Sequence, residues 1–265
     1  MKFKERLLSL DSSLKNVPNG YKRLGDFMML RSSHQLSAKL GEVIMQSYSW
    51  CRGVYQYIAT EGETRQPKII HLAGDKNTET THLENGVKYV LDIQQVMFSG
   101  GNSQLRRSLV DMVANGENLL DMFCAVGNLS MQVLVHKKVN AILVEKSFVT
   151  FEYLIRTLQA NHIEGYKALN IDCRDLQIDD WADRIFMGYH DVDKSHLLVA
   201  VKAAKSHCKI HLHPIAPFND YQNVITQYTQ WFEELGVKII EVNSKKVKDY
   251  SPKLHHIQVI YSIEK

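Results

Sequence analysis

The chain has 265 residues, of which 45% are apolar and 23% charged, a balance typical of a globular protein with a complete core. No apolar run approaches the ~18 residues that a membrane span needs, and the charged N-terminus lacks the apolar centre of a signal peptide. The four cysteines lie far apart without a CxxC pair, which argues against a zinc knuckle or a disulfide framework and favours a reducing cytoplasm. A net charge of +3 permits a polyanionic partner without requiring one.

The first 80 residues are predicted to form a small α+β domain. A short helix opens the chain, residues 35–48 have the apolar spacing of a helix, and residues 27–30 and 54–58 have the composition of strands. Residues 61–68 are polar and are predicted to be a loop. Two strand-like runs then flank Asn85-Gly86, which predicts a hairpin with a type I′ turn.

Residues 81–265 are predicted to form a second, larger domain in which strands and helices alternate. The expected strands are 118–123, 141–145, 167–171, 183–187, 208–213, 238–243 and 255–263. The expected helices are 128–136, 148–161, 194–205 and 219–235, with a further one beginning near Ser103. Such alternation predicts a doubly wound α/β sheet with helices on both faces. The last two strands are joined by residues 244–253 without a helix, so the final strand is expected to be antiparallel. This pattern is the S-adenosylmethionine-transferase variant of the fold.

One strand-to-loop passage is a candidate ligand site. An apolar strand ends in Asp121, and the small-residue loop up to Gly127 leads to a helix, which is how many nucleotide-binding sites begin. No GxGxxG pattern is present, so an ordinary strand–helix turn is an open alternative. A second apolar strand ends in Glu145, about 20 residues further on, where an acid can bind ribose hydroxyls. Asp172 follows a third strand and is expected either to bond an adenine amine or to cap a helix.

Two further strand ends carry polar groups. Gly188-Tyr189 lies at the mouth of the fourth strand, where many nitrogen methyltransferases have an Asn-Pro or Asp-Pro motif. His211 and His213 alternate on a strand, and the alternatives for them are a base, a substrate contact or a structural role. No third ligand accompanies them, so no metal is expected. Asp183 and Arg184 are expected to pair with each other or to lie at the end of the sheet.

Basic residues cluster at 245–248, with Tyr250 close by, and at Arg106-Arg107. Such clusters are usually solvated faces, but an aromatic group beside lysines also suits stacking and phosphate contact with nucleic acid.

Several short motifs occur in an order that resembles the archaeal-type tRNA guanosine methyltransferase and wybutosine-synthesis family. They are found at residues 21–26, 62–65, 84–89, 96–99, 102, 121–123, 144–146, 182–185, 187–189, 210–213 and 250–252, so the likeness extends over nearly the whole chain. Within this family, Met187-Gly188-Tyr189 is more similar to the aminocarboxypropyltransferases, because the guanosine methyltransferases have an Asn-Leu-Pro-like motif there.

The resemblance implies an enzyme that moves the 3-amino-3-carboxypropyl group of S-adenosylmethionine to 4-demethylwyosine beside the anticodon of tRNA(Phe), releasing methylthioadenosine. It also implies that the N-terminal domain contacts tRNA. A cytoplasmic protein without membrane or metal partners is expected, and a monomer is favoured. By motif match the predicted cofactor-binding residues are Ser99, Arg106, Asp121, Phe123, Gly127, Glu145, Asp172 and Cys173. Tyr189 and His213 are the predicted catalytic residues, and His190 is a further candidate proton acceptor.

Three positions depart from the family pattern, and Ala125 is the one that keeps an impaired cofactor loop open as an alternative. Ala125 stands where the family usually has glycine, Leu105 replaces an acid before Arg106, and Lys253 stands where glycine often follows the proline. The alternatives are a tRNA guanosine N1-methyltransferase and a tRNA-binding protein whose cofactor loop is impaired.

Overall fold

The computed structural model describes residues 1–62 and 64–265, and Glu63, part of the 62–65 motif, lies outside the described residues. The chain forms two compact units, Met1–Gly100 and Gly101–Lys265. Within the described residues, no helix has the length and apolar character needed to cross a bilayer.

The first unit carries two helices and six strands in the part of the chain that the structure describes. They are α1 (Phe3–Leu10), β1 (Lys22–Leu24), β2 (Phe27–Leu30), α2 (Ala38–Ser47), β3 (Gly53–Glu61), β4 (Gln66–Gly74), β5 (Glu79–Glu84) and β6 (Val87–Asp92). Strands β1 to β4 form a sheet in chain order, in which only the β2–β3 pair is parallel. The expected polar loop at 61–68 is wrong in part, because β3 and β4 extend into it as the two arms of a hairpin.

The β5–β6 hairpin confirms the prediction made from Asn85-Gly86. Both turn residues have positive φ, 50° for Asn85 and 80° for Gly86. A type I′ turn requires this backbone at both central positions, and asparagine and glycine tolerate it best.

The second unit contains the alternating elements. They are α3 (Ser103–Met112), β7 (Asn118–Asp121), α4 (Ser130–His136), β8 (Asn140–Val144), α5 (Phe148–Ala160), β9 (Tyr166–Leu169), β10 (Ala182–Met187), α6 (Lys194–Ala203), β11 (Ala204–Leu212), β12 (Ile215–Pro217), α7 (Tyr221–Glu234), β13 (Lys238–Ser251) and β14 (Leu254–Glu264).

The sheet of the second unit confirms the predicted fold class. Its strand order is β12-β14-β11-β10-β7-β8-β9, with β13 also paired to β14. Strands β9, β8, β7, β10 and β11 are mutually parallel, whereas β14 is antiparallel to β11 and to β13. The expectation that 244–253 is a connecting segment is wrong, because β13 continues to Ser251 and pairs with β14 along a hairpin interrupted by three irregularities of register.

Side chains alternate between the two faces of this sheet. Leu120 and Ile185 point into the larger core, which α6 and α7 cover, and Leu119 and Phe186 point into a smaller core with α3 and α4. Period-2 alternation sends neighbouring residues to opposite faces. Because β7, β8, β9 and β10 run parallel, their carboxyl ends lie along one edge, where ligands bind in this class of sheet.

Candidate active site

The loop between β7 and α4 is held by backbone hydrogen bonds to both neighbouring strands. Met122 donates its N–H to the carbonyl of Phe186, and Cys124 donates to the carbonyl of Val144, both at 3.0 Å. Gly127 has φ 82°, and a Cβ at this position would lie 2.0 Å from Cγ of Met131. Only glycine fits there, since a side chain would have both a strained backbone and a direct clash.

Ala125 adopts the left-handed backbone that the family's glycine would adopt freely. Its φ is 49°. Its backbone N–H donates to Oε2 of Glu145 at 3.0 Å. The loop therefore keeps a glycine-type conformation with an alanine in it, at a local cost of roughly 1–2 kcal/mol for the L side chain.

Glu145 holds this loop through its carboxylate. Besides the bond from Ala125, its Oε1 accepts the N–H of Ser147 at 2.7 Å, at the start of α5. Burial raises the pKa of the Glu145 carboxyl, and the N–H bonds from Ser147 and Ala125 oppose the rise. Each carboxylate oxygen has a second lone pair, so the predicted ribose contact is compatible with these bonds.

Asp121 is fully buried at the end of β7. Its Oδ1 accepts the N–H of Phe123 at 3.3 Å, and its Oδ2 has no hydrogen-bond partner among the residues described. Burial raises the pKa of this carboxyl to about 7, against smaller opposing contributions from the nearby Ser130 hydroxyl and the N–H of Phe123. The Ser130 oxygen itself makes no hydrogen bond of good geometry among the described residues, so both polar groups are left open to a ligand. An orphaned buried acceptor is uncommon in proteins and indicates a place for a donor or a cation.

Asp172 follows β9 and caps a short 3-10 turn, Cys173–Asp175, by accepting the N–H of Arg174 at 3.0 Å. The Arg174 guanidinium binds both oxygens of Asp172, at 2.9 and 2.6 Å, and Lys146 lies 3.2 Å away. The hydrogen bonds from Arg174 hold the pKa of the Asp172 carboxyl well below its usual range. The hydrogen bonds of Asp172 are thus those of a helix cap, one of its two predicted roles. A contact between Asp172 and adenine stays a prediction.

Cys173 is buried, and burial raises the pKa of its thiol to about 12. The thiol is therefore neutral at physiological pH and cannot act as a nucleophile there.

Tyr189, at the mouth of β10, stacks on Phe123 of the loop. The ring centroids are 5.2 Å apart and the planes differ by 22°. His196 of α6 approaches the same Phe123 ring at 5.3 Å. A Cβ at Gly188 would lie 3.1 Å from Cδ1 of Leu129, so a larger residue at this position would require Leu129 to move. The structure thus brings two predicted site residues together across 66 positions of sequence.

The predicted base His213 lies just beyond β11 and is 1% exposed. Its Nδ1 is 3.3 Å from Nε2 of His256, and its carbonyl is 2.6 Å from Nδ1 of His190. Burial lowers the pKa of His213 well below the usual value, and His211 and His190 act in the same direction. A neutral, enclosed imidazole is a weak proton acceptor.

Arg106 is completely buried on α3, and the neighbouring Leu105 packs in the core shared by α3 and α4. Leu105, which stands where the family usually has an acid, therefore occupies an apolar core position. Ser99 belongs to the first unit and is half-buried. The cofactor contacts of Arg106 and Ser99 stay predictions.

Arg184 does not pair with Asp183. Its guanidinium binds Glu117 at 2.6 and 2.9 Å and lies 2.9 Å from Nε2 of His211, whereas Asp183 binds Lys205 at 2.8 Å. Adjacent residues of a strand face opposite sides of the sheet, so Asp183 and Arg184 pair with different residues on the two faces.

Sequence reasoning missed Asn170, which follows β9. Its amide donates to the carbonyl of Glu145 at 2.8 Å and to that of Lys146 at 3.1 Å, so it orients the end of β8. The available signal was a polar residue directly after a strand at the ligand-binding edge. Across residues 1–62 and 64–265, no group of three or more His, Cys, Asp or Glu side chains is arranged to hold a metal ion.

Comparisons with known proteins match most of the chain. The TRM5/TYW2 methyltransferase domain matches residues 80–240, and the TYW2 N-terminal domain matches residues 5–78. A tRNA(Phe) (4-demethylwyosine(37)-C(7)) aminocarboxypropyltransferase of Pyrococcus horikoshii is 31% identical over 92% of this chain and 89% of its own length. The tRNA (guanine(37)-N(1))-methyltransferase Trm5b of Pyrococcus abyssi is 25% identical over 93% of this chain and 76% of its own.

Solved structures agree with these matches. P. horikoshii TYW2 in complex with MeSAdo has a TM-score of 0.86 at 27% identity, covering 99% of this chain and all of that one. P. abyssi Trm5b has a TM-score of 0.84 at 25% identity, covering 96% of this chain and 80% of that one. The resemblance seen in the motifs is confirmed, and the chain belongs to the TRM5/TYW2 methyltransferase family.

Proposed function

We propose that this protein is a tRNA-modifying aminocarboxypropyltransferase. It transfers the 3-amino-3-carboxypropyl group of S-adenosylmethionine to 4-demethylwyosine next to the anticodon of tRNA(Phe) and releases methylthioadenosine. The observation that carries the proposal is the TYW2-type N-terminal domain at residues 5–78 together with the aminocarboxypropyltransferase match over 92% of the chain. A cytoplasmic location suits a tRNA substrate and four cysteines that are all buried and free.

The residues at the edge of the sheet fit the cofactor. Gly127 keeps the loop free of a side chain, Ala125 is held in the glycine-type conformation, and Glu145 keeps unused lone pairs. The orphaned Oδ2 of Asp121 suits a cationic ligand, because a nearby positive charge favours the ionised carboxylate. When bound, the cofactor supplies an electrophilic methylene next to a sulfonium. Attack by the ring carbon of the base would break the bond between that methylene and sulfur, with its electrons going to sulfur, and the proton of the ring carbon would pass to an acceptor at the strand mouth, for which Tyr189 is the proposed residue.

The protein determines which carbon of the sulfonium the base can reach. Methyl and aminocarboxypropyl transfer are the same kind of displacement, so the position of the base relative to the sulfonium carbons decides which group is transferred. Arg106 grips the carboxylate of the transferred group and fixes its direction. Tyr189, backed by Phe123, offers an aromatic face and a hydroxyl at the strand mouth. With His213 enclosed and hard to protonate, Tyr189 is the better placed of the two proposed catalytic residues.

Mass spectrometry of anticodon-loop nucleosides tests the proposal. The protein is incubated with S-adenosylmethionine and tRNA(Phe) that carries 4-demethylwyosine. A mass gain equal to the aminocarboxypropyl group, with release of methylthioadenosine, is the expected result. A methyl gain on guanosine-bearing tRNA would instead assign the protein to the methyltransferases, which Trm5b represents at 25% identity. No gain on either tRNA would leave a tRNA-binding protein without catalysis.

A further inference from the structure

A groove of about 400 Å³ crosses the second-unit sheet on the face that Arg184 and His211 share. Strands β10, β11, β14 and β13 form its floor, and Met112 at the end of α3 lies at one side. The groove is separate from the β7–α4 loop, and none of the proposed cofactor or catalytic residues lines it.

The charges of the groove are unbalanced. Strand register places Lys209 beside Arg184 on one side and beside Ser262 on the other, and Lys245 reaches across to the Ser108 hydroxyl of α3 at 3.3 Å. Glu117 neutralises Arg184 from outside the groove. Two lysines then face Glu241, the one carboxylate among the lining residues that the structure describes. The groove therefore attracts negative charge.

Gln258, which is 0% exposed, lies on the groove wall and supplies a directed donor. Arginine can only donate, so the 2.9 Å contact makes Nε2 of neutral His211 an acceptor and leaves the ring proton on Nδ1. Nδ1 is 3.3 Å from the Gln258 amide. Because that ring nitrogen donates, the amide must turn its oxygen toward His211. Its NH₂ then takes the other amide position, which has no hydrogen-bond partner among the described residues.

The state of His211 supports this orientation. Burial lowers the pKa of His211 well below its usual value, and the charges of Arg184, Lys209 and Lys245 act in the same direction. The imidazole therefore stays neutral, with one donor and one acceptor nitrogen. A protonated ring would have no acceptor for Arg184.

An amide NH₂ and two ammonium groups in one groove match a group that only accepts hydrogen bonds and is negatively charged. We propose that the groove binds a backbone phosphate of the tRNA substrate, an inference that rests on the proposed function.

Direct tRNA binding, measured without cofactor over a series of salt concentrations, tests the inference. Lys209→Gln and Lys245→Gln each remove one charge from exposed strand positions, and Lys202→Gln on α6 is the matched control on the opposite face. Each groove variant is expected to weaken binding about three- to ten-fold at low salt and to reduce the slope of log K against log salt by about 0.7–0.9. The control variant should match the wild type in both quantities.

Gln258→Glu provides the second measurement. Its carboxylate still accepts from Nδ1–H of His211 but replaces the NH₂ donor with negative charge, so tRNA binding should weaken at least as much as in the lysine variants. Thermal unfolding shows whether this buried substitution leaves the fold intact. Unchanged tRNA affinity in both lysine variants would overturn the inference. An NMR titration with inorganic phosphate then shows whether the groove binds a free anion only: changes in the signals of the groove, together with normal tRNA binding by the lysine variants, would also overturn it. If the wild type itself binds no tRNA, the proposed function fails first.

Discussion

At the scale of single residues, Ala125 occupies backbone space that glycine enters without strain. Ala125→Gly should raise the free energy of unfolding by about 0.5–1 kcal/mol, because relief of the left-handed penalty exceeds the added chain entropy. Removing the methyl group should also strengthen S-adenosylmethionine binding. Calorimetric titration and thermal unfolding measure the two effects.

His162→Gly is the control for Ala125→Gly, since His162 has φ 54°, lies two residues after the end of α5 and is outside the β7–α4 loop. It should relieve similar strain without changing cofactor affinity. Weaker cofactor binding by Ala125→Gly would mean that the alanine shapes the loop rather than crowding the ligand.

Glu145→Gln tests whether the Glu145 carboxylate holds the β7–α4 loop in its binding conformation. Both carboxylate oxygens accept backbone N–H groups, so an amide NH₂ would necessarily face one of those donors. Cofactor affinity should fall by roughly 10- to 100-fold, equivalent to about 1.5–3 kcal/mol for a lost charged hydrogen bond. Circular dichroism is expected to show an unchanged fold. Normal affinity in calorimetry would remove Glu145 from the site.

Asp121→Asn should change how stability depends on pH. The pKa of the Asp121 carboxyl is raised from its ordinary 3.8 to about 7 in the folded protein. Its contribution to the free energy of unfolding is therefore fully present below pH 3.8 and is lost as pH rises through 7. The unfolding free energy of Asp121→Asn relative to the wild type should therefore increase by about 2–3 kcal/mol between pH 5 and pH 8. Denaturant unfolding at the two pH values measures it.

Asp172→Asn is the contrasting control for Asp121→Asn, because Arg174 lowers the pKa of Asp172. A carboxyl with a lowered pKa stays ionised throughout pH 5–8, so this variant should differ from the wild type by the same amount at both ends. A constant difference for Asp121→Asn as well would show that its carboxyl titrates outside this range. Cofactor binding should weaken in Asp121→Asn, because the amide cannot match a cation.

At the scale of elements, α3 positions one buried and one exposed arginine in succession. Arg106 is 0% exposed, whereas Arg107 is exposed. Arg106→Lys should slow single-turnover transfer at saturating cofactor by about 100-fold, because one ammonium cannot reproduce a two-pronged grip on a carboxylate. Cofactor affinity should change much less, since the contacts proposed for the adenosine remain.

Arg107→Lys should transfer at the wild-type rate and serves as the control on the same helix. If Arg106→Lys instead loses tRNA affinity but turns over normally once tRNA is saturating, Arg106 contacts a phosphate and the carboxylate grip is wrong. Thermal unfolding of both variants separates these outcomes from simple destabilisation of α3.

At the scale of the whole molecule, tRNA binding should depend steeply on salt. Lysine and arginine are spread over the chain, and a log–log slope of about −0.7 for each phosphate contact is expected between roughly 50 and 300 mM salt. S-Adenosylmethionine affinity should change little over the same range, because the ligand is small and carries few charges. A flat salt dependence of tRNA affinity would contradict recognition through the phosphate backbone.

The sequence determined the regular elements and the edge of the sheet at which the candidate site residues lie. Apolar period-2 and period-3.6 patterns predicted β7 to β11 and α4 to α7 to within a few residues, and Asn85-Gly86 predicted the β5–β6 turn. These features depend on neighbouring residues, so local pattern suffices. The short motifs added the family and the positions of Asp121, Glu145 and Tyr189.

Only the tertiary structure decided the partners of the polar groups. Glu145 bonding to Ala125, Arg184 bonding to Glu117 and Phe123 stacking on Tyr189 join residues 20, 67 and 66 positions apart. The length of β13 also escaped prediction, because its polar residues are stabilised as a strand by pairing with β14. Such contacts follow from strand order and register, which place distant residues side by side, and no local pattern of apolar and polar residues encodes that pairing.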